Sequence, residues 1–157
     1  MYLVMLLVLV ALTATAPATK TPAANPRAEV QAFVQRFFKT LNAGDPTALM
    51  ELYARVPEVA SIDDGEVAKG WDEISKGADA LLGHEGAYHA APGVIQVVTL
   101  GDTYAIAYAS ATVTEKDGDQ STTTPGAFTL IVKKSPGGWT ILHEHYSTKP
   151  AESPEGE

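Results

Sequence analysis

The first half of the chain has the hydrophobic spacing of amphipathic helices. Apolar side chains recur every three or four residues over positions 30–41, which places them on one face of a helix. Asn25 can cap this helix, and Pro26 fits its first turn. A second, shorter helix starts at Asp45-Pro46 by the same combination of cap and proline. The pattern therefore predicts two consecutive helices at the start of the fold.

A strand and a third helix follow these two helices. The strand is predicted at residues 58–63, and the acidic segment IDDGE after it is typical of a turn in which Gly65 takes a positive φ. Residues 70–83 return to helical spacing and end at a glycine. The side chains that this helix is predicted to bury are Trp71, Ile74, Ala78, Leu81 and Leu82.

The second half of the chain is rich in β-branched and aromatic residues, which favour strands. Strands are predicted at residues 93–100, 103–115, 126–134 and 138–148. In the second of these strands, alanines alternate with larger residues, so Tyr104 and Tyr108 share the face opposite the alanines. Helices first and a strand meander afterwards predict an α+β fold, with helices packed on one face of a curved antiparallel sheet.

The N-terminal residues differ in composition from the predicted domain. Residues 2–12 are continuously apolar, which is the length of a signal-peptide core and short of the ~20 residues of a membrane span. Small residues before position 19 fit cleavage after Ala18, so we expect a secreted or periplasmic protein; an uncleaved membrane anchor is the alternative. The predicted organisation is a signal peptide at 1–18, a disordered linker at 19–26, one domain at 27–149 and an acidic disordered tail at 150–157.

Charge and cysteine content exclude several classes of function. The chain has 19 acidic and 11 basic residues, a formal net charge of −8, which argues against binding to nucleic acid. It has no cysteine, so disulfides, iron–sulfur clusters, thiolate metal sites and cysteine nucleophiles are excluded.

The order of these elements, with several short motifs, resembles the SnoaL-like branch of the nuclear transport factor 2-like superfamily. The motifs are Gly44-Asp45, Gly70-Trp71 and the terminal Trp139-x-Ile141-x-His143-x-His145-x-Ser147. The resemblance covers residues 27–149, and the chain looks most like small proteins described as ketosteroid-isomerase homologues. It implies a cystatin-like α+β roll, a cone in which a strongly bent sheet wraps around N-terminal helices and leaves a pocket at one end.

The resemblance also implies a range of functions. We expect a domain that binds a small, largely apolar molecule in its cone, with isomerase- or lyase-type proton transfer, and that forms a homodimer through its sheet. The alternative is a non-catalytic homo-oligomeric binding or scaffold module of the same fold. Such proteins often carry an arginine near the position of Ala127, and its absence here argues against an anionic ligand. No cofactor is expected.

The last predicted strand carries two histidines separated by a glutamate. Strict alternation places Trp139, Ile141, His143, His145 and Ser147 on one face, and Thr140, Leu142, Glu144 and Tyr146 on the other. The two histidines are then neighbours, and Glu144 points away from them. This arrangement argues against a dyad of adjacent glutamate and histidine.

Three interpretations of this histidine pair remain. A metal site needs a third ligand, for which His84 and His89 are the candidates. Only the two strand histidines have the spacing of metal ligands, so we predict no metal. A polar seam, in which each imidazole is hydrogen-bonded between the sheets of a dimer, needs no chemistry. Lining of a ligand pocket or a part in proton transfer is the third interpretation.

Proton transfer in the cone would need a carboxylate, a hydroxyl and a pocket that raises a pKa. Asp63 and Asp64 are the carboxylates considered, although their segment is also typical of an ordinary turn. The catalytic candidates are Asp63, Tyr108 and His145, and the ligand-binding candidates are Trp71, Tyr104, His143, Glu144 and Tyr146. Simple packing is the competing interpretation for both tyrosines of the alanine strand and for Trp71.

Overall fold

The structure, a computed structural model, describes residues 25–83 and 88–149. Its helices are α1 (Pro26–Asn42), α2 (Pro46–Met50) and α3 (Trp71–Leu82). Its strands are β1 (Ala60–Asp63), β2 (Glu66–Lys69), β3 (Tyr88–Pro92), β4 (Gln96–Leu100), β5 (Tyr104–Asp117), β6 (Gln120–Ser135) and β7 (Gly138–Thr148). The predicted signal peptide and tail, most of the predicted linker, and His84 lie outside the described residues. Within those residues, no helix has both the length and the hydropathy to cross a membrane.

The two N-terminal helices begin where their caps predict. The Asn25 side chain accepts a hydrogen bond from the backbone N–H of Arg27 at 3.1 Å, and the Asp45 side chain accepts one from Ala48 at 3.0 Å. In each helix a proline occupies the first turn, where no intrahelical partner for its nitrogen is needed. These local signals therefore fix the position of α1 and α2 along the chain.

The seven strands form one curved, unclosed sheet in the order β2-β1-β7-β6-β5-β3; β4 pairs with the first part of β5, along the edge whose later part pairs with β3. All pairings are antiparallel except that between β1 and β7, which is parallel. The predicted α+β class with a bent sheet and N-terminal helices is confirmed. The sequence analysis missed β2 and β3, because both are short and poor in the β-branched residues that mark a strand.

The core lies between α1 and the concave face of the sheet. The apolar stripe of α1 is buried, as predicted: Val30, Phe33, Val34, Phe37, Phe38 and Leu41. The alanines of β5 are buried too, and their small side chains allow the helix to approach the sheet closely. Phe38 packs edge-on against Phe128 of β6, with ring centroids 4.9 Å apart. The concave face thus wraps around a row of phenylalanines.

A β-bulge in β7 reverses the alternation of its side chains. Ile131 pairs with His143 and Val132 pairs with Ile141, so Leu142 is the extra residue. Trp139 and Ile141 therefore face the core before the bulge, and Glu144 and Tyr146 face it afterwards, opposite the buried Leu130 and Phe128. The prediction that the two histidines share a face with Trp139 and Ile141 is wrong. The extra residue moves every side chain after Leu142 to the face opposite the one that strict alternation predicts.

Candidate functional site

A cavity of about 590 Å³ opens between the helices and the concave face of the sheet. Most of its wall is apolar and comes from α1, α3 and the sheet, for example Phe37, Phe38, Leu41, Ile74, Ala78 and Phe128. Val67 of β2 and Leu81 of α3 also line the cavity and are exposed to solvent, which places the mouth between these two elements. The volume and the apolar lining are those of a small-molecule site.

The polar part of the wall is concentrated on β1, β7 and the residues next to them. The polar side chains that line the cavity are Tyr53, Ser61, Asp63, Glu66, Tyr88, Glu144 and Tyr146. The parallel pairing of β1 with β7 sets Ser61 beside Glu144 and Asp63 beside Tyr146. The bulge at Leu142 is what turns Glu144 and Tyr146 inward, so the site depends on this irregularity.

Glu144 is the centre of a hydrogen-bonded group on this wall. The hydroxyl of Tyr53 donates a short hydrogen bond to its Oε2, and the hydroxyl of Ser61 lies 3.5 Å from the same oxygen. Burial raises the pKa of Glu144 and outweighs these two hydrogen bonds, which lower it; the charge of Asp63 raises it further. Burial likewise raises the pKa of Tyr53, and the neighbouring Glu144 adds to the shift. The pair therefore holds its protons more tightly than the same groups in water.

Asp63 supplies a second carboxylate at the exposed end of β1. Partial burial raises its pKa, and the negative charges of Asp64 and Glu115 raise it further. The backbone turns immediately after it, with the positive φ that the sequence predicts at Gly65 and a second one at Asp64. Asp64 points elsewhere, since its carboxylate accepts hydrogen bonds from the backbone N–H and the hydroxyl of Thr148. Of the two aspartates, Asp63 is the one that lines the cavity.

Two further tyrosines complete the polar wall. Burial raises the pKa of Tyr88, and the nearby Tyr146, Asp63 and Glu144 add to the shift. The hydroxyl oxygen of Tyr146 is buried and has no hydrogen-bond partner among the described residues. The Tyr146 side chain lines the cavity, while its hydroxyl lies against the backbone at Gly126.

The structure brings three of the sequence-predicted site residues to this cavity: Asp63, Glu144 and Tyr146. The structure puts four others on the opposite, convex face of the sheet: Tyr104, Tyr108, His143 and His145. In the strand register His145 lies beside Thr129, which in turn lies beside Tyr108. Tyr108 and His145, two of the three catalytic candidates, are therefore separated from Asp63 by the sheet.

Trp71 is the remaining ligand-binding candidate. It begins α3, packs against the core and donates a hydrogen bond from Nε1 to the carbonyl oxygen of Met50 at 3.2 Å. The guanidinium of Arg55 stacks over its ring at 4.0 Å from the centroid. These contacts lie outside the wall of the cavity and match the packing interpretation.

Sequence reasoning missed four polar residues of the wall: Tyr53, Ser61, Tyr88 and Glu66, the last of which lies on the unpredicted strand β2. The sequence around Tyr53 gives no local signal of its hydroxyl's partner, which lies 91 residues away. Ser61 lies in the predicted first strand, but its neighbour Glu144 is known only from the parallel pairing. Tyr88 lies on β3, a strand that was not predicted.

A metal is not indicated by the part of the chain that the structure describes. Residues 25–83 and 88–149 contain no group of three or more histidine, aspartate or glutamate side chains that could hold a metal ion. His89 is exposed on β3, whereas His143 and His145 lie on β7. His84 lies outside the described residues, so the absence of a metal stays a prediction.

Comparison with known proteins adds the following findings. A family model described as the SnoaL-like domain matches residues 30–152. No curated protein matches the chain significantly. A nuclear transport factor 2-like superfamily protein from Salmonella enterica is 25% identical and has a TM-score of 0.67, over 84% of this chain and 96% of the other.

Two further solved structures share the fold at lower identity. A Streptomyces avermitilis protein of the NTF2-like family, provisionally assigned as a dehydratase, has a TM-score of 0.71 at 19% identity, over 79% of this chain and 96% of the other. A Xanthomonas campestris protein, provisionally assigned as a calcium/calmodulin-dependent protein kinase II association domain, has a TM-score of 0.69 at 23% identity, over 87% and 94% of the two chains. At these identities the likeness shows the fold alone.

Proposed function

Since the chain belongs to the SnoaL-like domain family, we propose that it binds a small, largely apolar molecule in the cavity and moves a proton on it. The observation that carries the proposal is the cavity itself. It has a volume of about 590 Å³, apolar walls, and two carboxylates that converge with tyrosine hydroxyls on one side. A pocket with few, clustered polar groups of shifted pKa is the arrangement expected for a binding or active site.

Asp63 is the proposed proton acceptor. Its pKa is raised, which brings a carboxylate closer to the range where a general base works at neutral pH. It also lies near the mouth, where it can exchange its proton with water. Tyr88, a hydroxyl of the same wall, is the proposed hydrogen-bond donor to the ligand oxygen on which negative charge develops. Tyr108 and His145 have no part in this proposal, because they lie on the other face of the sheet.

Ligand binding is tested with prodan, a neutral naphthalene ketone whose fluorescence reports an apolar environment. We expect saturable binding with a blue-shifted emission for the wild-type protein, and binding weaker by about tenfold for Ala78→Phe, whose phenyl ring fills part of the cavity. His145→Ala is the matched control and should bind like the wild type. Absence of saturable binding, or equal loss in both variants, contradicts the proposal.

Proton transfer is tested on the same bound ketone. The methylene next to the prodan carbonyl exchanges its protons for deuterium in D2O, and NMR follows the exchange. The wild-type protein should accelerate this exchange, whereas Asp63→Asn should bind prodan without accelerating it. If both proteins bind prodan and neither accelerates exchange, the non-catalytic alternative holds and the binding proposal stands alone.

We also propose that the convex face of the sheet joins two copies of the chain. Val98, Leu100, Tyr104 and Tyr108 lie on this face with 45%, 50%, 37% and 44% of their surface exposed. Large apolar side chains in one exposed patch favour association, and the face continues over the two histidines of β7. A second copy is the proposed partner, because a sheet face is self-complementary about a two-fold axis. Analytical ultracentrifugation tests this, and a monomer at micromolar concentration contradicts it.

Export remains a proposal that depends on residues 1–18 alone. We expect cleavage after Ala18 when the full sequence is expressed in a bacterial host, so that the mature protein begins at Thr19. Intact-mass measurement of the protein from the periplasmic fraction tests this proposal. An uncleaved chain in the membrane fraction supports the anchor instead.

A further inference from the structure

The described polar side chains that line the cavity are all acidic or hydroxyl groups. They are three carboxylates, on Asp63, Glu66 and Glu144, together with three tyrosine hydroxyls and one serine hydroxyl. No lysine, arginine or histidine is among the described residues that line the cavity. The described part of the site therefore offers a ligand negative charge and hydroxyl groups, and contributes no cation that would hold an anion.

Asp63 and Glu144 form no ion pair with any residue that the structure describes. Glu144 receives its hydrogen bonds from the neutral hydroxyls of Tyr53 and Ser61. The one ion pair among the described residues, Lys134 with Glu29 at 2.6 Å, involves neither Glu144 nor Asp63. Burial raises the pKa of both groups, and repulsion by neighbouring carboxylates adds to it: Asp63 raises the pKa of Glu144, and Asp64 and Glu115 raise that of Asp63. A cation in the cavity would relieve this repulsion.

The apolar part of the wall is compatible with such a cation. Phe37, Phe38 and Tyr53 line the cavity, and aromatic faces attract ammonium groups as well as hydrocarbon. The ring of Tyr146, which also lines the cavity, adds a further aromatic face. In an apolar molecule that carries an amine, the apolar part would thus contact the aromatic wall while the ammonium group contacts the carboxylates.

We infer that the cavity selects an apolar molecule that carries a protonated amine, with the ammonium group held between Glu144 and Asp63. This inference rests on the proposed binding function and names the class of its ligand. An anion of the same shape is excluded by the carboxylates. A neutral alcohol fits the cavity but leaves the carboxylates unpaired.

The test compares three probes with the same apolar body: 1-naphthylmethylamine, 1-naphthylmethanol and 1-naphthoate. Their dissociation constants are measured by isothermal titration calorimetry at neutral pH and low salt. The amine should bind about tenfold or more tightly than the alcohol, since a hydrogen bond to a charged group is worth at least that factor. The carboxylate should bind more weakly than the alcohol.

Variants locate the preference in the cavity. Glu144→Gln and Asp63→Asn should each reduce the preference for amine over alcohol about tenfold while alcohol binding is retained. Glu58→Gln is the matched control, because it makes the same change in net charge at an exposed position outside the cavity wall. Two variants are used so that a folding defect in one leaves the other informative.

The outcomes separate this inference from the binding proposal. Equal binding of amine and alcohol, or tighter binding of the carboxylate, overturns the amine inference and leaves the cavity a binding site. A loss of preference in Glu58→Gln as large as in Glu144→Gln also overturns it, because the effect is then one of overall charge. If none of the three probes binds, both the inference and the binding proposal fail.

Discussion

At the scale of single residues, the Tyr53–Glu144 hydrogen bond is the central feature of the site. It joins Tyr53, three residues after α2, to the middle of β7 on the polar wall of the cavity, and both groups have a raised pKa because they are buried together. A carboxylate in such surroundings costs stability when it is charged, since burial disfavours its ionised form. The site therefore has consequences for stability that can be measured without a ligand.

The first prediction concerns Glu144 and pH. Its pKa in the folded protein is raised above the ordinary value of 4.5, so the folded state binds this proton more tightly than the unfolded chain does. The free energy of unfolding of the wild type therefore falls as pH rises from 4.5 to the raised pKa, and the loss is complete above it. Glu144→Gln cannot ionise and keeps an acceptor for Tyr53, so it should gain stability relative to the wild type over that rise. Urea denaturation at a series of pH values measures this difference, and a difference that is constant with pH contradicts the raised pKa.

The second prediction concerns the hydroxyl of Tyr53. Tyr53→Phe removes the donor to Glu144 and leaves a buried carboxylate with only the long contact to Ser61. We expect a loss of about 1–3 kcal/mol in the free energy of unfolding, as for other buried groups that lose a hydrogen-bond partner. Tyr108→Phe is the control, because that tyrosine is exposed on the convex face. A loss in Tyr53→Phe no larger than in the control argues against the hydrogen bond.

At the scale of elements, β7 decides which residues form the site. Its bulge at Leu142 turns Glu144 and Tyr146 inward and the histidines outward. The helices could be predicted because their caps and spacing are local, and the alternation of β5 could be predicted because that strand is regular. The bulge could not, since it depends on the pairing of β7 with β6, and no residue of HEHY marks it. Asp63, Glu144 and Tyr146 were named from residue type, but the group that they form with Tyr53 depends on contacts distant in sequence.

The third prediction tests the close packing of β6 against β7. A Cβ at Gly126 would lie 2.4 Å from the carbonyl oxygen of Ser147 and 2.7 Å from the hydroxyl of Tyr146. Gly126→Ala should therefore lower the free energy of unfolding by about 1–3 kcal/mol, because the clash involves backbone. Gly137→Ala is the matched control, since a Cβ there meets nothing within 4 Å. Equal stability of the two variants in denaturant contradicts the observed packing of Tyr146 against Gly126.

At the scale of the whole molecule, the sheet separates two surfaces with different proposed roles. Its concave face lines the cavity, and its convex face carries the exposed apolar residues and the two histidines. Side chains of alternate residues belong to different surfaces, so a substitution on one face leaves the other in place. Binding and association are therefore separable by mutation.

The fourth prediction uses this separation. Leu100→Glu places a charge in the exposed apolar patch and should convert the proposed dimer to a monomer in sedimentation experiments. Its affinity for prodan should stay within about twofold of the wild type, because Leu100 is remote from the cavity wall. Loss of ligand binding together with dissociation would mean that the cavity needs the partner copy.

The most direct test of the cavity as a ligand site is a titration of 1-naphthylmethylamine into the wild type and into Ala78→Phe. Ala78 lies on the cavity wall, and a phenyl ring at this position fills part of the space. Ala28→Phe, at an exposed position on α1, is the control for added aromatic surface. We predict saturable binding to the wild type and to Ala28→Phe, and binding at least tenfold weaker to a folded Ala78→Phe. Equal affinity in all three proteins would show that the molecule binds elsewhere.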